Sequence, residues 1–393
     1  MMETFDAVVI GGGPAGATAA GDLAKLGRSV LLLDRAGRIK PCGGAVPPRL
    51  IRDFDIPDEL LVARATSARM IAPSSRSVDM PVGAGFVGMV DRGVYDEWLR
   101  NRAAMAGAIR RTGHFERIDR EGDGSAIVVY TTERGGVESQ VRARTIVGAD
   151  GARSAVAQQA LSGARNMPCV YAYHEVIRSP ETGASDFDGE RCDVYYQASM
   201  SPDFYGWVFP HGTQVSVGAG SANKGFALRE AVGRLRLSAG LAGCETVRGE
   251  GAPIPLKPLR RWDNGRDVIV IGDAAGVVAP ASGEGIYYAM ASGQFAAKAV
   301  DRCLATGKAK ALQGARKDFM NAHGRVFAIL GMMQYFWYSS DKRRERFVKI
   351  CEDPDVQLLT WQAYMNKELT FRKPIAHARI FFKDLGHLLG FAA

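Results

Sequence analysis

Cys42 lies in the stretch Lys40-Pro-Cys-Gly-Gly-Ala-Val-Pro47, a thiol set between a proline and two glycines. It is there either for chemistry or as a small side chain in a tight turn, and its surroundings must decide. Three other stretches carry residue types suited to binding: Gly11-Gly-Gly-Pro-Ala-Gly16, Gly148-Ala-Asp-Gly151 and Gly272-Asp-Ala-Ala-Gly276. Each follows an apolar, β-forming run. In a parallel α/β sheet the carboxyl ends of the strands gather at one edge, where ligands bind. Asp150 and Asp273 can therefore share a site with Gly11.

The elements that must position these residues follow from pattern. Phe5–Ile10 reads as a buried strand, the small residues after Gly13 as a helix to about Leu26, and Ser29–Asp34 as a second buried strand. Gly11, Gly13 and Gly16 then complete G-x-G-x-x-G in a βαβ unit. The glycines allow a tight turn and close approach of a pyrophosphate. The backbone N–H groups at Ala15 and Gly16, where the helix opens, are donors for it. Asp34, with Arg35 beside it, ends the second strand where a ribose would be held. A second match, Gly83-Ala-Gly85-Phe-Val-Gly88, lacks a following strand with an acid at the right distance and reads as loop and strand. A helix is expected from about Gly93 through Tyr95 to Ala106. Strands are expected over 126–132, 137–143, 145–149 and 267–271, with strand-rich sequence over 170–220 and a helix over 226–237. Helical spacing dominates from Ile286 onward. The expected fold is α/β: a discontinuous Rossmann-like domain (1–75, 88–160, 262–310), an antiparallel-sheet substrate domain (161–261) and a C-terminal helical region (311–393).

Composition narrows the function. The 393 residues are 47% hydrophobic, enough for a sizeable core without disulfides. The six cysteines are scattered, with none at metal-ligand spacing, so no metal site is expected. A net charge of +8 suits an anionic substrate, a phosphate-bearing cofactor or an acidic membrane surface. The basic residues are dispersed and form no nucleic-acid-binding motif. The N-terminus does not read as a signal peptide, and no apolar run reaches the ~18 residues of a span, so a cytoplasmic location is expected.

With the three glycine loops in view, the chain resembles the large FAD-dependent family that includes aromatic hydroxylases and geranylgeranyl reductases. The resemblance implies that Asp273 holds the ribitol chain, that Asp150 and Gly151 lie near the phosphates, and that Arg92 of Val-Asp-Arg-Gly-Val-Tyr runs along the cofactor. A helix starting at about Gly283, with Pro280 and Gly285 around its start, would aim its N-terminus at the flavin. Lys40–Pro47, Tyr205-Gly-Trp-Val-Phe-Pro210 with Gly218-Ala-Gly220 downstream, and Pro255–Met290 look like geranylgeranyl reductase across essentially the whole chain. The stretch 335–357 resembles its chlorophyll and bacteriochlorophyll branch.

The reaction so implied is NADPH-driven reduction of isolated double bonds, from geranylgeranyl to phytyl. The substrate would be the diphosphate or the (bacterio)chlorophyllide ester. An alkene without a carbonyl gives a hydride no electron sink, so protonation with carbocation character must accompany hydride from the flavin. The pocket must be long, apolar and dry. Tyr205, Trp207 and Phe209 alternate to one strand face and could wall it. Gly43 and Gly44 would let the backbone approach the flavin, with Cys42 beside the ring. A thiol at its reference pKa of ~8.5 stays protonated at neutral pH, as a proton donor must. His174, His211 and Glu284 are reserve donors. NADPH has no second fingerprint here.

Two rival readings on the same scaffold are an aromatic monooxygenase and a non-catalytic prenyl carrier. Finally, Phe371, Ile375, Ala378, Phe382, Leu385 and Leu389 recur at helical steps among Arg372, Lys373, Arg379, Lys383 and His387. This is an amphipathic helix with a basic face, suited to peripheral contact with an anionic membrane or to packing on the body. The stretch 326–338 is too short to span and reads as core or tunnel wall.

Overall fold

The structure, a computed structural model, describes residues 2–367 apart from Ala36, Arg38, Ala84, Arg134, Thr182 and Ala184. The expected amphipathic segment 371–389 lies outside the described residues. Two compact units are present: Met1–Lys40 with Arg92–Cys169 and Pro253–Phe327, and Pro41–Asp91 with Val170–Ala252 and Ala328–Ala393.

The first unit is built on a seven-stranded sheet. Ile109–Thr112, Val30–Asp34, Thr4–Ile10, Glu138–Gly148 and Val268–Val270 pair in parallel. Ala126–Thr131 and His114–Arg120 extend it as antiparallel strands. The parallel strands are almost wholly buried: Val8, Val9, Leu31, Ile146 and Ile269 are 0% exposed, as continuous apolar runs in a covered sheet require. Pro14–Lys25, Arg92–Met105 and Ile286–Thr306 are helices of this unit, and Tyr95 donates its hydroxyl to Met290 Sδ. Where the sequence suggested separate strands over 137–143 and 145–149, a single strand runs over Glu138–Gly148. Its first half pairs antiparallel with Ala126–Thr131 and its second half in parallel with Thr4–Ile10. Arg144 is merely an outward residue of that strand, not a break.

The second unit carries another seven-stranded sheet, in the order Thr246–Pro255, Cys169–Arg178, Gln214–Ser221, Gly206–His211, Arg191–Tyr195, Ser67–Ile71, Ser77–Pro81. The helix Leu228–Ser238 buries Ala231, Val232 and Leu235 with Val215, Val217, Ala219 and Ile177 in one core. Ala45–Val46, Val87–Val90 and Leu61–Ala65 form a small antiparallel sheet, so the second glycine-rich match leads into a hairpin-type strand and not a βαβ unit. Pairing of Ser67–Ile71 with Arg191–Tyr195 draws Pro41–Asp91 into this unit. The sequence division had placed residues 41–75 with the nucleotide fold. It had also set 311–393 apart, whereas residues 313–327 cluster with the first unit. The apolar stretch 326–338 lies mostly in the helix Gln313–Trp337; Phe327 and Trp337 are buried, yet Met332 and Tyr335 are 65% and 84% exposed, so only part of it is core. Among the described residues no helix is long and apolar enough to cross a membrane.

Candidate flavin and substrate sites

In the first unit, three loops from three strand ends meet. A Cβ on Gly16 would stand against the Gly11 carbonyl oxygen well under the 3.0 Å that real Cβ contacts keep. A Cβ on Gly11 would likewise strike the Ala149 carbonyl, and one on Gly272 would strike the Ala15 side chain. The loops after Ile10 and Gly148 are therefore packed backbone to backbone, and the loop after Ile271 meets the first at the Ala15 side chain. The helix Pro14–Lys25 begins at Gly13 with no side-chain cap and with proline in its first turn. No side chain caps its opening N–H groups, and nothing lies within 4 Å of a Cβ position on Gly13 or Gly151. An uncapped helix start facing open space, with glycines behind it, fits a pyrophosphate.

Charged residues complete this cradle. Asp34, at the end of its strand, accepts from Arg100 Nη1 at 3.2 Å, and the same nitrogen reaches the Gly12 carbonyl oxygen at 3.3 Å. Arg100 thus holds the Asp34 carboxylate in place at the end of its strand. It was missed in the sequence because it lies two turns beyond Arg92 on the same helix, outside any glycine motif. Arg35 is exposed and lines a cleft of about 660 Å³ with His114, Glu116, Thr131 and Glu138. Arg92 is buried and makes a bidentate pair with Asp96, at 2.8 and 2.7 Å.

Asp150 is a helix cap. It accepts from Ser154 Oγ at 2.5 Å, Ala155 N at 2.7 Å and Val156 N at 3.3 Å. Burial pushes its carboxyl above the usual carboxylate range, and these donors pull against that shift. Gly151 follows with φ +88°. Asp273 is 8% exposed and its Oδ2 lies 2.5 Å from Lys40 Nζ. Lys40 opens the quoted cysteine stretch, yet nothing in local spacing pairs it with an acid 233 residues away. After Asp273 the chain passes through Pro280, Ala281 and Gly283 into the helix Ile286–Thr306, capped at Gly285. Ala281 holds φ +63°, a left-handed conformation that costs a non-glycine residue about 1–3 kcal/mol and marks sites where geometry is over-determined. The buried Glu284 closes this turn, its carbonyl accepting from Ala279 N at 2.8 Å.

In the second unit the cysteine loop rests on the aromatic strand. A Cβ on Gly43 would meet the Phe209 ring at 3.1 Å, and one on Gly44, whose φ is +72°, would strike His211 Nε2 and the Val90 carbonyl oxygen. Cys42 is half-buried, and its Sγ accepts from Gly44 N at 3.3 Å. Tyr205, Trp207 and Phe209 do share one face: ring centroids lie 6.1 Å apart for the first pair and 6.3 Å for the second. Phe204 stacks on Tyr205 at 4.2 Å, and Tyr196 adds a further ring at 6.2 Å. Phe209 also packs on the core cluster with Trp361 and Tyr364.

The spacing of the aromatic motif and the later glycines is a β-register. Trp207 pairs directly with Gly218 across the antiparallel strands. A Cβ on Gly218 would overlap the indole ring and the His174 Cβ, and one on Gly220 would strike Phe204 and Val170. The glycines are the floor on which the aromatic rings lie. His211 is half-buried, and desolvation by the surrounding protein lowers its pKa to about 4. It is neutral at physiological pH and ill suited to donate a proton.

A family model described as FAD binding domain matches residues 74–315, more than half of the chain, and one described as NAD(P)-binding Rossmann-like domain matches residues 9–51. The second falls on the Gly11–Gly16 fingerprint itself. The chain is 56% identical over 386 residues to a geranylgeranyl diphosphate reductase of Rhodobacter capsulatus, covering 98% of each. It is 35% identical to the chloroplastic geranylgeranyl diphosphate reductase of Oryza sativa, covering 97% of this chain and 85% of the other. A geranylgeranyl bacteriochlorophyll reductase-like structure from Thermoplasma acidophilum superposes with a TM-score of 0.79 at 22% identity, over 96% of this chain and all of the other, which shows a shared fold. The glycine cradle, the aromatic strand over its glycine floor and this full-length similarity agree: the chain belongs to the geranylgeranyl reductase family of FAD-binding flavoproteins.

Proposed function

We propose that this protein reduces the isolated double bonds of a geranylgeranyl chain, carried as the diphosphate or as a (bacterio)chlorophyllide ester, with NADPH as reductant. The observation that carries the reading is the 56% identity along the full chain to a protein named for that reduction. FAD, when bound, would supply the hydride. Gly11, Gly13, Ala15, Gly16, Asp34, Arg35, Arg92, Asp150, Gly151, Asp273, Pro280, Gly283 and Gly285 would hold the cofactor, and the sequence reading sets Cys42, Gly43 and Gly44 beside it. Tyr205 and Trp207 wall the substrate, and an apolar aromatic wall keeps water from a developing carbocation. The Cys42 thiol delivers the proton.

The decisive assay supplies NADPH anaerobically with each geranylgeranyl substrate and reads products by mass. Gains of two, four and six hydrogens are expected. NADPH oxidation that requires and consumes oxygen would favour the monooxygenase reading, and protein that never holds flavin would favour the carrier. Cys42→Ala and Cys42→Ser should each slow alkene reduction about hundredfold, the low end of what a general acid contributes, while NADPH still bleaches the flavin. If both variants reduce the alkene at the wild-type rate, the thiol is not the proton source.

Peripheral membrane contact on the cytoplasmic side, through the basic apolar segment 371–389, belongs to the same proposal. The full chain should co-sediment with anionic vesicles and lose that binding when salt rises or when the chain ends at Lys367; equal sedimentation of both forms would refute it.

A further inference from the structure

Beneath the aromatic strand lies a buried polar group that the proposed chemistry does not use. Trp207 Nε1 donates to Ser216 Oγ at 3.1 Å, and Ser216 Oγ lies 3.0 Å from His174 Nδ1. Trp207, Ser216 and His174 are 6%, 2% and 3% exposed. His174 Nε2 stands 3.4 Å from Glu250 Oε1, an electrostatic contact that holds the Glu250 carboxyl below the usual range, with Arg248 Nε on the same oxygen at 3.2 Å. A Cβ on Gly43 would stand 3.9 Å from the indole nitrogen. Gly218 offers the indole no side chain directly across the strands, so alongside the rings of Tyr205, Phe209 and His174 the hydrogen bond at its edge is the directional contact on its orientation.

We propose that Ser216 and His174 are positioning residues for the reduction: Ser216 sets the orientation of the Trp207 indole, and His174 holds the Ser216 hydroxyl where the indole can reach it. The inference rests on the reading of Trp207 as a wall of the substrate site. Its consequence is specific. Loss of the Ser216 hydroxyl frees the ring without removing it, so a prenyl chain still binds but is held less accurately over the reacting centre. Misplacement by about an ångström can cost up to roughly a hundredfold in rate. kcat should fall more than KM rises, and products should stop at partly reduced chains.

The test combines a spectroscopic and a kinetic readout on the FAD-loaded full chain. In protein labelled with ¹⁵N at tryptophan, the indole N–H signal that disappears in Trp207→Phe identifies Trp207. That signal should shift in Ser216→Ala and in His174→Ala, and return in His174→Asn, whose amide reaches the position of Nδ1. Geranylgeranyl diphosphate turnover should fall about tenfold in Ser216→Ala, a loss on the scale of one buried hydrogen bond, and recover at least half-way from the His174→Ala level in His174→Asn. In a Trp207→Phe background, Ser216→Ala should have no further effect, because its action passes through the indole. An unshifted indole signal, or full additivity of the two substitutions, overturns the inference. A shifted signal with unchanged kcat and product ratio also overturns it. Flavin absorbance and thermal unfolding of each variant separate these outcomes from misfolding. Failure of the wild-type protein to reduce the chain at all would instead refute the proposed function, leaving the indole shifts unaffected.

Discussion

Gly16→Ala should leave a folded protein that purifies without yellow colour. Gly16 is the third glycine of the fingerprint, where the first helix crosses the Gly11 carbonyl. The added methyl would meet that oxygen far inside contact distance. The obstacle is backbone on both sides, since Gly11 is itself pressed against Ala149, so no side chain can rotate away. The helix start must shift, and its N–H groups shift with it. Charge-assisted hydrogen bonds contribute about 1.5–3 kcal/mol each. Losing two of them weakens FAD binding roughly 10²–10⁴-fold. Flavin absorbance per protein after purification measures this, and circular dichroism checks the fold. Wild-type flavin content in Gly16→Ala would contradict the packing described for the cradle.

Gly218→Ala should separate the two halves of the reaction. Here the obstruction is the Trp207 indole and the His174 Cβ. Trp207 would be lifted off its floor and Ser216 would lose its donor. The glycine cradle lies in the other compact unit and should keep its FAD. NADPH should still reduce the flavin, while conversion of geranylgeranyl diphosphate falls about hundredfold, the cost expected for misplacing a reacting group. Gly233→Ala is the control. A Cβ there meets nothing within 4 Å, and a helix gains about 0.5–1 kcal/mol when glycine becomes alanine. Equal alkene reduction by Gly218→Ala and wild type would show that the indole can move without consequence.

Much of the first unit was legible because its signals are local. A buried strand, a glycine turn, a helix of small residues and a terminal acid lie within residues 4–34, and each is constrained by its neighbours in sequence. The aromatic motif and its downstream glycines were legible as a pattern, but their meaning was not. The register that stacks Trp207 on Gly218 exists only once the two strands pair. The single strand Glu138–Gly148 was hidden for the same reason, since one half is held by a hairpin and the other by parallel partners distant in sequence.

The amino-acid sequence alone determined the cofactor fold, the glycine fingerprint and the family, because backbone freedom and apolar periodicity are written in consecutive residues. Tertiary structure alone decided which polar groups serve those loops: Arg100 on Asp34, Lys40 on Asp273, Ser216 and His174 on Trp207. It also gave Asp150 its work as a cap and moved residues 41–75 from the nucleotide fold to the second unit. The physical reason is common to all of them. A hydrogen bond or strand pair between residues tens to hundreds of positions apart leaves no periodicity in the chain, and only the packed fold brings the partners within 3 Å or so of each other.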